Sequence, residues 1–133
     1  GYAYRHSLFM DRPQEILLEL TLELTPGDPE TIRSEMDEYN RRRHEKQPLE
    51  ARSAGSTFKR PEGHFVGAMI EELGLKGYSV GDAAVSSKHA GFLINKGRAT
   101  CAEMLTLIHE IQARVKERYG VELEPEVQII GEE

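Results

Sequence analysis

The segment 53–61, which reads SAGSTFKRP, combines residue types that could present a hydroxyl group to an anionic ligand. Gly55 can adopt backbone angles closed to other residues, so a bound group could approach the main chain closely beside Ser56. Phe58 would point inward as an apolar anchor, and the two cations that follow it would face the ligand. The same residue types are also typical of a Gly/Ser turn before a strand. The segment alone favours the turn, and the rest of the chain decides between the two interpretations.

Length and composition restrict the class of protein. The 133 residues are enough for one domain, or for one domain and a fragment of another. The net charge of −6 argues against nucleic acid as the main partner, and the one basic block, Arg41–Arg43, ends a predicted helix, where cations complement the dipole. A single cysteine, Cys101, excludes an internal disulfide and fits a reducing compartment. We therefore expect a cytoplasmic protein with no membrane span and no metal site.

The N-terminal third predicts one strand and one helix. Leucines alternate with polar residues over 18–24, and this period of two predicts a strand with one buried face. Asp28 and Pro29 then predict a helix start, because aspartate is a good N-cap and proline suits the first helical position. The helix should extend to about His44 and end before Gln47–Pro48.

The remaining chain predicts two helices and three short strands in a mixed order. The sequence TCAE at 100–103 is a capping box that opens the second of these helices. The helices are predicted over 65–73, closed by Gly74 or Gly77, and from 101 to about 119; the strands are predicted over 78–80, 91–95 and 127–130. Strands and helices follow one another without a repeating βα unit. The fold class is therefore α+β, a small mixed sheet packed with helices and preceded by the strand 18–24.

Four segments occur in an order that is similar to a known family. They read YRHSLF at 4–9, SAGSTFK at 53–59, GDAAVSSKHA at 81–90 with LIN at 93–95, and LEPEVQIIG at 123–131. Together they resemble the C-terminal portion of the UDP-N-acetylenolpyruvoylglucosamine reductases, in the short form of that family. The resemblance covers nearly the whole chain.

The resemblance implies a flavoprotein oxidoreductase of peptidoglycan synthesis, and so of cell wall biogenesis, cell shape and cell division. In such an enzyme NADPH reduces FAD, and the reduced flavin passes a hydride to UDP-N-acetylglucosamine enolpyruvate, which becomes UDP-N-acetylmuramate. Two domains bind FAD and a third binds the UDP-sugar. Residues 1–25 would then be the end of an FAD-binding domain, and residues 26–133 the substrate-binding domain.

The same resemblance implies how the chain behaves by itself. Most FAD contacts would lie in a missing N-terminal half, which is also a partner of this chain, so we expect the isolated chain to be inactive. The strand 18–24 would lack its sheet neighbours. We expect it to be poorly anchored or buried in a dimer, because an unpaired apolar strand invites self-association.

The resemblance assigns Ser56 and Glu126 as catalytic residues, and places Gly55 and Ser56 beside the cofactor. Hydride addition to one enolpyruvyl carbon builds negative charge on its neighbour, which a positioned acid must then protonate. A serine hydroxyl is a poor acid by itself and needs neighbouring groups that stabilise its conjugate base or relay the proton. An adjacent anion and burial should raise the pKa of the Glu126 carboxyl, which suits proton transfer. Without the resemblance, Glu126 would be interpreted as a surface residue.

Five further residues are implied as substrate contacts. Lys59 follows Ser56 closely enough to meet a phosphate, and Lys76 would line the diphosphate or NADPH site. His89 would contact the substrate, and Tyr4 and Arg5 would face it from the flavin-binding side. From residue type alone, a lone histidine is more often structural and a lone lysine more often solvated.

Two positions depart from the family pattern or stay ambiguous. Arg60 stands where many members have asparagine. At this position the contact that asparagine would make with a substrate amide is therefore in doubt, and an arginine could bind a phosphate instead. Asn95 ends an apolar strand, where asparagine is more often a turn-former than a ligand.

Two alternatives to an enzyme remain open at this point. The chain could be a UDP-sugar or nucleotide binding module without chemistry, although such a module would need neither Ser56 nor Glu126. It could also be an interaction domain that uses the helix face formed by Ile32, Met36 and Tyr39.

Overall fold

The structure, a computed structural model, describes residues 2–3 and 6–131. The chain divides into two compact units, residues 1–34 and residues 35–133. Helix α2, Pro29–Lys46, begins in the first unit and ends in the second. Within the described residues, none of the helices combines the length and the apolar character that crossing a bilayer requires.

The first unit contains little regular structure. Strands β1 (Tyr2–Ala3) and β2 (His6–Ser7) pair antiparallel and lead into the short helix α1 (Leu8–Asp11). The strand predicted over 18–24 is not formed, and its leucines are exposed, Leu18 to 92%. A strand needs a neighbour that accepts and donates its backbone hydrogen bonds. Among the described residues, no segment pairs with 18–24. The alternating pattern therefore does not lead to a strand in this structure.

Helix α2 begins and ends close to the predicted residues. The Asp28 carboxylate accepts hydrogen bonds from the backbone N–H and the hydroxyl of Thr31, both at 2.8 Å, and the first of these is the main reason that the pKa of Asp28 is lowered. Farther along, the guanidinium groups of Arg41 and Arg42 bind the Glu38 carboxylate and hold its pKa at about 2. Arg41 and Arg42 of the basic block are thus engaged within their own helix.

The second unit is built on a three-stranded antiparallel sheet in the order β3 (Ser79–Val80), β4 (Ala83–Val85), β5 (Leu93–Asn95). Strand β4 was not predicted. All three of its residues are buried, and such a short uniformly apolar run lacks the alternation that identifies a strand. The strand predicted over 127–130 was wrong: the backbone pairing lies earlier, where Pro125 forms an isolated bridge with Phe58.

Two helices cover the core of this unit. They are α3 (Val66–Glu72) and α4 (Cys101–Tyr119), both predicted from the sequence. Helix α4 buries apolar side chains at helical spacing: Leu107, Ile108, Ile111 and Val115. Its capping box forms as predicted, since Thr100 accepts from the Glu103 N–H at 3.2 Å and the Glu103 carboxylate accepts from the Thr100 N–H at 2.7 Å. The predicted α+β class is confirmed.

The turn between β3 and β4 depends on this capping box. Gly81 has φ +56°, and a Cβ atom at this position would overlap the Glu103 carboxylate. Next to it, the Asp82 carboxylate accepts a hydrogen bond from the Arg98 N–H at 2.7 Å. The turn is therefore attached to the connection that leads into α4.

We predict that Gly81→Ala destabilises the protein more than Gly74→Ala. Both glycines have positive φ, so each alanine should cost about 1 kcal/mol of strain. At Gly74 no heavy atom lies within 4 Å of the new Cβ, whereas at Gly81 the methyl group must displace Glu103 from the capping box. The loss of the cap should add about 1 kcal/mol. Urea denaturation measures both free energies of unfolding, and equal losses would contradict the role given to Glu103.

Candidate functional site

The stretch Ser56–Lys59 lies between two other segments and pairs with both. On one side, Ser56 forms an antiparallel bridge with Phe92, and the Thr57 N–H donates to the Gly91 carbonyl at 3.0 Å. The Thr57 hydroxyl accepts from the Leu93 N–H at 3.2 Å. This side of the stretch is therefore held by the turn and strand that contain residues 91–93.

The other side of the stretch pairs with the segment 124–126. The Glu126 N–H donates to the Thr57 carbonyl, and the Lys59 N–H donates to the Glu124 carbonyl, both at 2.8 Å. Two segments far apart in the sequence are thus joined, and Glu126 comes to lie directly beside the residue that follows Ser56. The side chains of Ser56 and Glu126 are both exposed. The burial expected for Glu126 is therefore not present in the structure.

Phe58 anchors the stretch in the core. Its side chain is 2% exposed, as the sequence predicted, and the Thr57 side chain is 4% exposed. Ser56, in contrast, is an exposed residue. The two buried residues fix the backbone that carries the exposed hydroxyl.

Gly55 leaves the backbone open beside Ser56. Its φ is +95°, and no heavy atom lies within 4 Å of the position that a Cβ would occupy. The Ser53 hydroxyl accepts a hydrogen bond from the Gly55 N–H at 3.2 Å and holds this conformation. The sequence-based expectation of a glycine with special backbone angles is confirmed.

The two cations of the segment have partners within the protein. The Lys59 ammonium forms a salt bridge with the Glu124 carboxylate, and both groups are partly or largely exposed. The Arg60 guanidinium lies 4.0 Å from the ring centroid of Phe65 and donates through Nε to the His64 carbonyl at 3.2 Å. An anionic ligand would compete with these partners for either cation.

The other predicted contacts lie on separate elements. Lys76 follows α3, and its ammonium lies 2.6 Å from the Glu71 carboxylate. The imidazole Nδ1 of His89 accepts a hydrogen bond from the Gly91 N–H at 3.0 Å. Tyr4 and Arg5 lie outside the described residues.

Asn95 has a structural role in the described structure. Its side-chain oxygen accepts from the Gly97 N–H at 2.9 Å and from the Ala99 N–H at 3.0 Å. These two bonds close the turn after β5, as expected of a turn-former.

A mostly apolar cavity of about 320 Å³ lies next to the segment that precedes Ser56. Its lining comes from that segment, from the sheet and from α4: Arg52, Ser53, Ala54, Thr57, Leu93, Met104, Ile108 and Val127. Cavities of this size with few polar groups are typical places for small ligands or cofactors.

The sequence analysis missed two residues that shape this site. Thr57 is buried and holds β5 through its hydroxyl, and Glu124 pairs with Lys59. A polar residue directly before the apolar anchor was the available signal for Thr57. The pairing of Glu124 could not be read from local sequence, because the partners are 65 residues apart.

The comparisons with known proteins agree with the resemblance. Residues 47–130 match the family model described as UDP-N-acetylenolpyruvoylglucosamine reductase, C-terminal domain. The fold and the matched region therefore define a C-terminal reductase domain of the α+β class. The chain belongs to the UDP-N-acetylenolpyruvoylglucosamine reductase family.

Individual relatives of that name match almost the whole chain. The protein from Caldanaerobacter subterraneus subsp. tengcongensis is 52% identical over 131 residues, and the protein from Clostridium kluyveri is 56% identical over 131 residues. Each alignment covers 98% of this chain and 43% of the relative. The chain thus spans less than half the length of these curated relatives.

A solved structure shares the fold. The crystal structure of UDP-N-acetylenolpyruvylglucosamine reductase from Thermus caldophilus superposes with a TM-score of 0.63 at 38% sequence identity. The superposition covers 78% of this chain and 37% of that chain.

We predict that Thr57→Val destabilises β5, because the Thr57 hydroxyl accepts the hydrogen bond of the Leu93 N–H. Valine keeps the volume but leaves the Leu93 N–H without its acceptor, which should lower the free energy of unfolding by about 1–3 kcal/mol. Hydrogen exchange at the Leu93 amide should accelerate in Thr57→Val and stay slow in Thr57→Ser, which retains the hydroxyl. Equal exchange in the two variants would argue against this hydrogen bond.

Proposed function

We propose that this chain is the substrate-binding and catalytic C-terminal part of an FAD-dependent, NADPH-using reductase. The reaction is the conversion of UDP-N-acetylglucosamine enolpyruvate to UDP-N-acetylmuramate, a step of peptidoglycan synthesis in the cytoplasm. The observation that carries the proposal is the pairing of Thr57 with Glu126, which brings the exposed Ser56 and Glu126 onto adjacent segments. Membership of the reductase family supports it.

The chemistry assigned to the chain is proton delivery. The reduced flavin, when bound, supplies a hydride to one carbon of the enolpyruvyl double bond. Ser56 donates the proton that the neighbouring carbon requires, so that hydride and proton together saturate the double bond. Glu126, on the segment that pairs with Thr57, is assigned the assistance that a hydroxyl needs to act as an acid.

The residues around Ser56 fit a flavin on one side of the site. The open backbone at Gly55 allows a planar ring to approach the main chain, and the adjacent cavity is mostly apolar. Gly55 and Ser56 would contact the ring. The other FAD contacts are assigned to the part of the relatives that lies outside the match, with residues 1–25 as the end of an FAD-binding domain and residues 26–133 as the UDP-sugar domain.

The diphosphate of the substrate is assigned to the cations near Ser56. Lys59 is held by Glu124 in an exposed salt bridge, and such pairs contribute little to stability. A diphosphate can therefore replace the carboxylate at small cost. Lys76 and Arg60 are the further candidates, each from its own element.

We predict that Ser56→Ala in the complete reductase spares flavin reduction by NADPH and slows the reaction with the substrate. The alanine removes the proton donor, so the second half-reaction should slow by at least ~10²-fold. Stopped-flow absorbance of the flavin separates the two half-reactions. Ser56→Thr, which keeps a hydroxyl, is the matched control. Reoxidation by substrate at the normal rate in Ser56→Ala would refute the assigned role.

We predict that Glu126→Gln and Glu124→Gln have different kinetic effects. Glutamine at 126 keeps the size of the side chain but cannot exchange a proton, so kcat should fall while substrate binding stays nearly unchanged. Glutamine at 124 releases Lys59 from its salt bridge, which should alter KM with little effect on kcat. Steady-state kinetics of both variants test the assignment, and a fall in kcat only in Glu124→Gln would mean that the other carboxylate is the catalytic one.

A further inference from the structure

The residues between β4 and β5 form a closed turn beside the Ser56 segment. The hydroxyl of Ser86, which is buried, accepts the N–H groups of Lys88 at 3.1 Å and His89 at 3.3 Å. The Ser86 N–H donates to the Phe92 carbonyl at 2.9 Å, and the Phe92 N–H donates to the His89 carbonyl at 3.0 Å. His89 therefore sits inside a turn whose backbone is well determined.

The imidazole of His89 is fixed within this turn. Because its Nδ1 accepts the Gly91 N–H at 3.0 Å, the neutral ring carries its proton on Nε2. The ring packs edge-on against Phe92, with 5.0 Å between the centroids. A Cβ at Gly67 of α3 or at Gly91 would lie 3.1 Å from the ring carbon Cε1. Two glycines thus make the space that the ring fills.

The turn is also the support of the Ser56 segment. The Gly91 carbonyl accepts the Thr57 N–H at 3.0 Å, and Phe92 forms the bridge with Ser56. The imidazole therefore binds the N–H of Gly91, and Thr57 binds the carbonyl of the same residue. Gly91 alone lies between the imidazole and Thr57. A displacement of the ring would move the acceptor on which Thr57 depends.

We propose that His89 is a positioning residue for Ser56, which it holds through Gly91 and Phe92. This differs from the substrate contact that the family resemblance implies for His89, and its catalytic consequence rests on the proposed function of Ser56. The essential group is the Nδ1 acceptor, whereas a substrate contact would use the Nε2–H donor.

Hydrogen exchange in the chain itself tests the positioning role without reference to any activity. His89→Leu keeps much of the side-chain bulk but removes the acceptor, and His89→Asn removes the ring but places an amide oxygen close to the position of Nδ1. We expect the Gly91 and Thr57 amides to exchange at least ~10-fold faster in His89→Leu and within about threefold of the parent in His89→Asn, as the loss of one hydrogen bond predicts. The Val85 amide, bonded to the Tyr78 carbonyl, is the internal reference.

Gly67→Ala in α3 tests the same role from the other side of the His89 imidazole, because the new Cβ would lie 3.1 Å from its Cε1. Alanine is a stronger helix former than glycine, so the helix itself should persist, while the new methyl group pushes the ring away from its place. We expect faster exchange at Thr57 in this variant as well. Ala68→Gly on the exposed face of the same helix weakens the helix without touching the ring, and should leave Thr57 unchanged relative to the rest of the unit.

Kinetics in the complete reductase add the functional test. His89→Leu should lower the rate of the substrate half-reaction by about 10²-fold, the loss that misplacement of a catalytic group by about 1 Å can cause, with KM nearly constant. His89→Asn should restore most of that rate. A substrate contact through Nε2 predicts instead that both variants raise KM alike, which would overturn the proposal.

The two arms separate the failure of this proposal from the failure of the proposed function. Parent-like exchange at Thr57 in His89→Leu overturns the positioning role, whatever reaction the protein catalyses. Full activity of Ser56→Ala overturns the proposed function instead, and leaves the exchange result as a measurement of the support alone.

Discussion

Backbone pairing on both sides of the Ser56–Lys59 stretch is the constraint on which the candidate site depends. The stretch is held in register by Phe58, whose side chain is buried in the core. A slip of one residue would turn Phe58 toward the opposite face and carry Ser56 with it. The cost of exposing the phenylalanine therefore selects the register in which the hydroxyl of Ser56 reaches the surface.

The same register decides the electrostatics of the site. It places the Glu124 carboxylate on the Lys59 ammonium and pairs the backbone of Glu126 with that of Thr57, the residue that follows Ser56. The protein carries a net charge of −6, and an unscreened approach would repel an anionic substrate. In the proposed function, exchange of the Glu124 carboxylate for a phosphate at Lys59 would let such a substrate bind without a large basic patch.

Local signals predicted those parts of the fold that depend on neighbouring residues. The capping box at Thr100 and the helical spacing of Leu107 and Ile111 identified α4, because capping and one-sided burial act within a few turns. Strand β4 was not predicted, because all three of its residues are buried and the segment lacks the alternation of apolar and polar residues that identifies a strand. The leucines at 18–24 have a strand pattern but no partner among the described residues, and pattern alone does not form a ladder.

The candidate site divides in the same way. Gly55, Ser56 and Phe58 could be identified from their types and order, since a turn, a hydroxyl and an apolar anchor are properties of adjacent residues. The supports of Ser56 could not, because Glu124 and the turn at His89 reach it only through pairing across long sequence separations. The residues proposed for the site could thus be selected from the sequence, while the interactions that position them required the structure.

The exposure of Ser56 and Glu126 places a condition on the proposed reaction. A serine hydroxyl in water is a weak acid, and bulk water would compete with it for the carbanion-like carbon. Among the described residues, neither side chain is covered. In the proposed mechanism the cover must therefore come from the bound substrate and flavin, which exclude water and strengthen the electrostatic effect of Glu126 on the hydroxyl. In that mechanism the Ser56 hydroxyl donates its proton only after substrate and flavin have excluded water. The backbone pairing on both sides of the Ser56–Lys59 stretch would hold the hydroxyl in position before these ligands bind.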